Sequence, residues 1–84
     1  MYEIEISPAA ERALKKLSVD IRNRIFKSLL TLRGDPRPHG VKKLSDEDDI
    51  YRIRVGDYRI IYQIRDAVLV VVAVNVGHRR EIYR

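Results

Sequence analysis

Hydrophobic and polar positions change their spacing twice along this chain of 84 residues, and each change marks a different kind of element. Tyr2, Ile4 and Ile6 alternate with Glu3 and Glu5, the period of a half-buried strand. Ser7-Pro8 then supplies a helix N-cap followed by proline in the first helical position, where its missing N–H is not needed. Glu11 falls in the first turn, near the positive end of the helix dipole. Ala10, Ala13, Leu14 and Leu17 follow with i, i+3, i+4, i+7 spacing, opposite Arg12, Lys15 and Lys16, so this helix carries one apolar stripe. Ser18 caps a second helix whose stripe runs through Ile21, Ile25, Leu29 and Leu32, broadened by Phe26 and Leu30, and Gly34 with Asp35-Pro36 beyond it stops the helix. The pair is expected to form an αα-hairpin.

Two prolines and two glycines between Arg33 and Gly40 predict a loop, since they deny both helix and ladder hydrogen bonds. Val41 to Leu44 reads as a short extended segment, and the acidic Asp46-Glu47-Asp48-Asp49 as a solvated turn. Ile50 to Val55, Tyr58 to Arg65 and Val68 to Val76 are rich in Ile, Val and Tyr, and are separated by Gly56-Asp57 and Asp66-Ala67. They predict an antiparallel meander. Its last strand is apolar at nearly every position, which predicts a place inside the sheet. The expected fold is α+β: an N-terminal strand, an αα-hairpin and a three-stranded antiparallel meander, forming one small sheet on two helices. Residues 1–84 form a single domain in this reading.

Hairpin register determines where the charges go. Glycine first in a two-residue loop is the type II′ pattern, which pairs Val55 with Tyr58, Arg54 with Arg59, Ile53 with Ile60, Arg52 with Ile61 and Tyr51 with Tyr62. With a period of two, Arg52, Arg54 and Arg59 then share one face of the sheet, and Tyr51, Ile53, Val55, Tyr58, Ile60 and Tyr62 share the other. Like charges directly opposite each other destabilise a sheet, and no carboxylate of these two strands lies on the arginine face. The cluster is expected to hold an anion.

The composition supports this and excludes other classes. Lys and Arg outnumber Asp and Glu by 17 to 12, and every basic residue after Ile50 is arginine, whose planar fork matches phosphate oxygens. With no cysteine there is neither a disulfide framework nor a thiolate metal site, and a cytoplasmic setting fits. The longest apolar run, Ala67 to Val74, is far short of the roughly 20 residues that span a bilayer, so no membrane partner is expected. The acidic N-terminus shows no export signal. No cofactor or metal site is expected, because the chain has no phosphate-binding glycine loop and His78 has no Asp, Cys or second His nearby in the sequence. His78, Arg79, Arg80, Tyr83 and Arg84 follow Gly77 within seven residues and offer an imidazole, guanidinium groups and a phenol.

Five stretches together carry a family resemblance: Ser7 to Leu17, Asp35-Pro36-Arg37, Lys42-Lys43-Leu44, Tyr51 to Tyr62, and Val76-Gly77-His78-Arg79-Arg80-Glu81-Ile82-Tyr83. The chain resembles the RelE/ParE superfamily of type II toxin-antitoxin systems over essentially its whole length. The resemblance implies a toxin. Its RelE branch comprises ribosome-dependent endoribonucleases that cut mRNA in the A site, and its ParE branch inhibits DNA gyrase on a similar scaffold. The RelE pattern of catalytic positions falls on Arg52, Arg54, Arg59, Arg79 and Tyr83. Arg52 and Arg54 stand where known RelE members carry lysine, and an arginine, with a pKa above about 12, does not serve as a base at neutral pH. The chain ends without the extra C-terminal helix of some members.

The favoured reading is therefore a metal-free mRNA endoribonuclease, with a ParE-like gyrase inhibitor as the alternative. A passive nucleic-acid-binding module would explain the basic face but not the grouping of Tyr83 with it. Tyr83 is the candidate proton-transfer group, His78 the reserve, and Lys42, Lys43, Arg80 and Arg84 are expected to bind RNA around the site. The implied partners are the ribosome with its mRNA and a small, acidic, RelB-like antitoxin whose disordered segment folds over the helical hairpin.

Overall fold

The computed structural model describes residues 1–78. Its elements are β1 (Glu3–Ile6), α1 (Pro8–Lys15), α2 (Val19–Thr31), β2 (Lys42–Ser45), β3 (Ile50–Val55), β4 (Tyr58–Arg65) and β5 (Val70–His78). They form one five-stranded sheet in the order β1-β5-β4-β3-β2, with β1 parallel to β5 and every other pair antiparallel. β5 lies inside the sheet, as its apolar sequence predicts. The sheet is larger than the three-stranded meander because both flanking segments join it: β1 beside β5, and β2 as the opposite edge.

Both predicted N-caps form. Ser7 Oγ accepts the Ala10 N–H at 3.1 Å and donates to the Val74 carbonyl at 2.6 Å, so one side chain starts α1 and ties it to β5. Val74 is the extra residue of a β-bulge, since Ile61 pairs with Asn75 while Tyr62 pairs with Ala73. Ser18 Oγ caps α2 through the Ile21 N–H. α1 packs on β5 and α2 on β3, both on the same face of the sheet. Ala10, Leu14, Ile25, Leu29 and Leu32 from the helices meet Tyr51, Ile60, Tyr62, Ile64, Val71, Ala73 and Val76 from the strands, and these residues form the core.

Several boundaries differ from the sequence expectation. α2 ends at Thr31 with Leu32 as its C-cap, before Gly34, and Phe26 and Leu30 point away from the core with 37% and 57% exposure. The second stripe is thus narrower than predicted, because α2 rests on the sheet along a single line of side chains. Between β4 and β5, Asp66–Val68 forms a 3-10 turn and Leu69 takes a left-handed conformation at φ 55°, which delays β5 to Val70 and carries it to His78. No helix among the described residues is long and apolar enough to cross a membrane.

Candidate nucleic-acid interface

The β3–β4 hairpin has the register its turn dictates, from Val55 opposite Tyr58 to Tyr51 opposite Tyr62. Gly56 sits at φ +60°, where glycine has no steric penalty, and Asp57 is not in a positive-φ conformation, as in a type II′ turn. The bare Cα of Gly56 also accommodates Arg24 of α2, whose guanidinium would lie 3.4 Å from an added Cβ. From the other side, Arg54 donates Nε–H to the Gly56 carbonyl at 3.0 Å. The turn thus has one guanidinium bonded to it and another close by on the opposite side.

Arg52, Arg54 and Arg59 share the helix-free face of the sheet. Arg54 is exposed, Arg52 and Arg59 are half-buried, and the Arg59 Nη1 atom is enclosed completely. β2 adds to this face: Lys42 pairs with Arg52, so its side chain joins the arginines. Lys43 does not. It pairs with Tyr51, its ammonium lies 5.5 Å from that ring's centroid, and it is bonded to Asp49 at 3.5 Å and Asp46 at 3.6 Å. Burial lowers its pKa, but Tyr51, Asp49 and Asp46 outweigh that and raise it overall. Lys42 and Lys43 were expected together, and strand alternation separates them.

His78 is also placed apart from the arginines. It pairs with Tyr58 and meets that ring edge-on with centroids 5.4 Å apart, on the helix side of the sheet. The reserve acid-base group expected from sequence is therefore across the sheet from the cluster. Arg79, Arg80, Tyr83 and Arg84 lie outside the described residues.

Sequence reasoning missed Arg37. Assigned to a loop by composition, it is the hub of a polar network at the end of the sheet away from the Gly56 turn. Its guanidinium donates to Asp66 Oδ2 at 2.9 Å and to the Tyr51 phenol oxygen at 2.9 Å, and it lies 3.8 Å from Asp49. The Tyr2 hydroxyl donates to the other oxygen of Asp66. Arg37, then Tyr2, hold the Asp66 carboxyl below its ordinary range, and Asp66 and Tyr51 raise the Arg37 pKa further. Nearby, the buried Tyr62 hydroxyl donates to the Pro36 carbonyl at 2.8 Å, and its ring stacks on Tyr51. Desolvation raises the Tyr62 pKa. These contacts make the 33–40 loop a fixed part of the fold, and Asp49 ties the acidic turn to it. No periodicity could signal this, because the partners come from four separate segments.

On the helix side, α1 and α2 diverge around a cleft of about 400 Å³ lined by Ile6, Glu11, Leu14, Lys15, Arg22 and Phe26. The molecule thus presents a basic sheet face on one side and an apolar cleft with charged margins on the other.

Residues 4–83 match the family described as ParE toxin of type II toxin-antitoxin system. The chain belongs to that family. Among the toxin's relatives is the mRNA interferase toxin RelE of Escherichia coli (strain K12), 36% identical over 80 residues that cover 87% of this chain and 83% of that one. The fold matches the archaeal RelE–RelB complex from Pyrococcus horikoshii OT3, with a TM-score of 0.83 and 30% identity over 93% of this chain and 94% of that one. It also matches the intact E. coli RelBE toxin-antitoxin complex, with a TM-score of 0.81 and 29% identity over 93% and 96% of the two chains. The toxin therefore has the α+β RelE-like fold that its sequence predicts.

Proposed function

We propose that this toxin is an endoribonuclease that cleaves mRNA in the ribosomal A site without a metal ion. The observation that carries the reading is the convergence of Arg52, Arg54 and Arg59 on the sheet face opposite α1 and α2, in a chain 36% identical to an mRNA interferase. In the proposed reaction the ribose 2′-oxygen attacks the adjacent phosphorus. The 2′-O–P bond forms and the P–O5′ bond breaks, leaving a cyclic phosphate and a 5′-hydroxyl. One proton leaves the 2′-hydroxyl and one reaches the departing O5′.

The arginines act on the phosphoryl oxygens, where fixed cations stabilise the charge that develops in the transition state. They are not bases at neutral pH. Tyr83 is assigned the proton transfer and Arg79 a further phosphate contact, both by resemblance to the RelE pattern. Neighbouring guanidinium groups favour the charged form of a phenol, which improves it as a base. With so few proton-transfer groups, the ribosome supplies the in-line orientation of the message. The proposed partner is a RelB-like antitoxin, since two of the matching folds are toxins bound to RelB, and its apolar segment fits the cleft between α1 and α2.

The test is a programmed ribosome carrying either an ordinary message or one with a single 2′-deoxy sugar on the 5′ side of the cut. The ordinary message is cut, with or without chelator at a magnesium level that keeps ribosomes intact, and the deoxy message survives. Efficient cutting of the deoxy message overturns the mechanism. Intact mRNA together with accumulating DNA breaks in cells identifies the toxin as a gyrase inhibitor.

A further inference from the structure

Two rows of cross-strand neighbours lie side by side on the helix-free face. Lys42, Arg52, Ile61 and Asn75 form one, and Arg54, Arg59 and Gly77 form the next. Ile61 is half-buried, and it is the apolar position between the basic residues and Asn75. With neighbouring strands about 4.8 Å apart, the path from Arg52 across Ile61 to Asn75 is about 10 Å, enough for one base beside a phosphate held by the arginines.

Asn75 stands next to the β5 bulge and is exposed. β1 ends opposite Ala73, so among the described residues the β5 edge beyond that point has no strand partner, and the Asn75 Oδ1 atom accepts the Val76 N–H there at 2.9 Å. That contact fixes the orientation of the amide, because only the oxygen can accept. The Val76 N–H takes one lone pair of that oxygen and turns it toward the backbone, so the NH₂ group with its two donors is what projects away from the strand. The oxygen serves the fold, and the NH₂ is not required for that.

Resting on the nuclease reading, we infer that Asn75 is a specificity-determining residue: a base flanking the scissile phosphate lies on Ile61 and turns its edge to the Asn75 NH₂. A projecting NH₂ group favours a base with a keto oxygen at the exocyclic position it meets. Guanine O6 and uracil O4 accept from it there, whereas adenine and cytosine present an amino group, a second donor, beside their ring-nitrogen acceptors. Unpaired RNA bases are read on these edges, so the contact suits a single-stranded message.

The experiment measures cleavage by the full chain on programmed ribosomes, with messages that place each of the four bases at each position flanking the cut. At one of the two positions, the wild-type toxin should favour guanine and uracil over adenine and cytosine by about fivefold, the worth of one net hydrogen bond. Asn75→Asp keeps an oxygen for the Val76 N–H but replaces the donors with an acceptor, so the preference should reverse toward adenine and cytosine at an unchanged unfolding temperature. Asn75→Ala should lose the preference and melt lower. Identical base preference in the wild type and Asn75→Asp overturns the inference, leaving Asn75 as a cap on the strand edge, and the nuclease reading stands. Failure of the wild type to cut any message overturns both, and that outcome is visible before any variant is compared.

Discussion

Arg54 and Arg59 face each other directly across the β3–β4 hairpin, and Arg54 turns its Nε–H back onto the Gly56 carbonyl, 3.0 Å away. The bond draws one of two opposed cations toward the turn and leaves the half-buried Arg59 in the middle of the basic face. The two arginines are therefore unequal. Arg59→Ala should cut mRNA cleavage by about 10²- to 10³-fold, the scale for removing one group that stabilises developing charge. Single-turnover cleavage with a far-ultraviolet circular dichroism control checks this, and wild-type rates in a folded variant would remove Arg59 from the site.

Gly56→Ala should destabilise the toxin by about 1–2 kcal/mol, because φ +60° is unfavourable for a residue with a Cβ, whereas that Cβ would meet the Arg24 guanidinium only at an ordinary van der Waals distance of 3.4 Å. Urea unfolding measures the loss. Arg24→Ala leaves the backbone strain in place, so adding it to Gly56→Ala should recover none of the stability.

Tyr62→Phe removes a buried hydroxyl and leaves the Pro36 carbonyl without its donor. The expected cost is about 1–3 kcal/mol, the range for a buried group left unsatisfied. Amide exchange should rise in the 33–40 loop, and an unchanged exchange pattern would show that the loop is held by Arg37 alone.

The Tyr2–Asp66–Arg37 network predicts two opposite pH limbs. Asp66 has a lowered folded pKa, so its contribution is complete above the ordinary value of 3.8 and is lost as pH falls through the lowered one. The Tyr2 pKa is raised by its hydrogen bond to Asp66, so its contribution is present below the ordinary 10.0 and is lost as pH rises through the raised value. Asp66→Asn should flatten both limbs in thermal melts across pH. A variant with both limbs intact would exclude the network as their source.

Phe26→Asp should weaken antitoxin binding by at least tenfold without affecting the fold, because Phe26 lines the cleft but is 37% exposed. A charge there adds a desolvation cost only when an apolar segment covers it. Titration calorimetry with the cognate antitoxin reads the effect, and unchanged affinity would move the interface elsewhere.

What could be read from the sequence was whatever depends on local rules. The Gly56-Asp57 turn has one favoured geometry and a period of two follows from it, so the register of five pairs and the face of three arginines were accessible without coordinates. Leu69 shows the limit. A leucine in a left-handed conformation carries no composition signal, so the β4–β5 turn and the start of β5 were misplaced. Lys43 and His78 were assigned to the site by chemistry and proximity in the chain, but the pairing of each with a tyrosine puts both on the helix side. Arg37 stood out in the sequence only as part of the Asp35-Pro36-Arg37 stretch and without a role, since its value lies in partners that only the tertiary fold assembles.

The place of β5 has a consequence for how the toxin is born. β5 follows every other element in the chain, yet it lies between β1 and β4, and Ser7 reaches its Val74 carbonyl across 67 positions. β1 has no strand to pair with until β5 has been synthesised, and pairing over so long a separation makes folding slower than for local contacts. The floor beneath the basic face is thus laid last. A nascent chain therefore carries the arginine hairpin before the sheet that braces it is complete, and the basic face gains its full support only once β5 has paired with both neighbours.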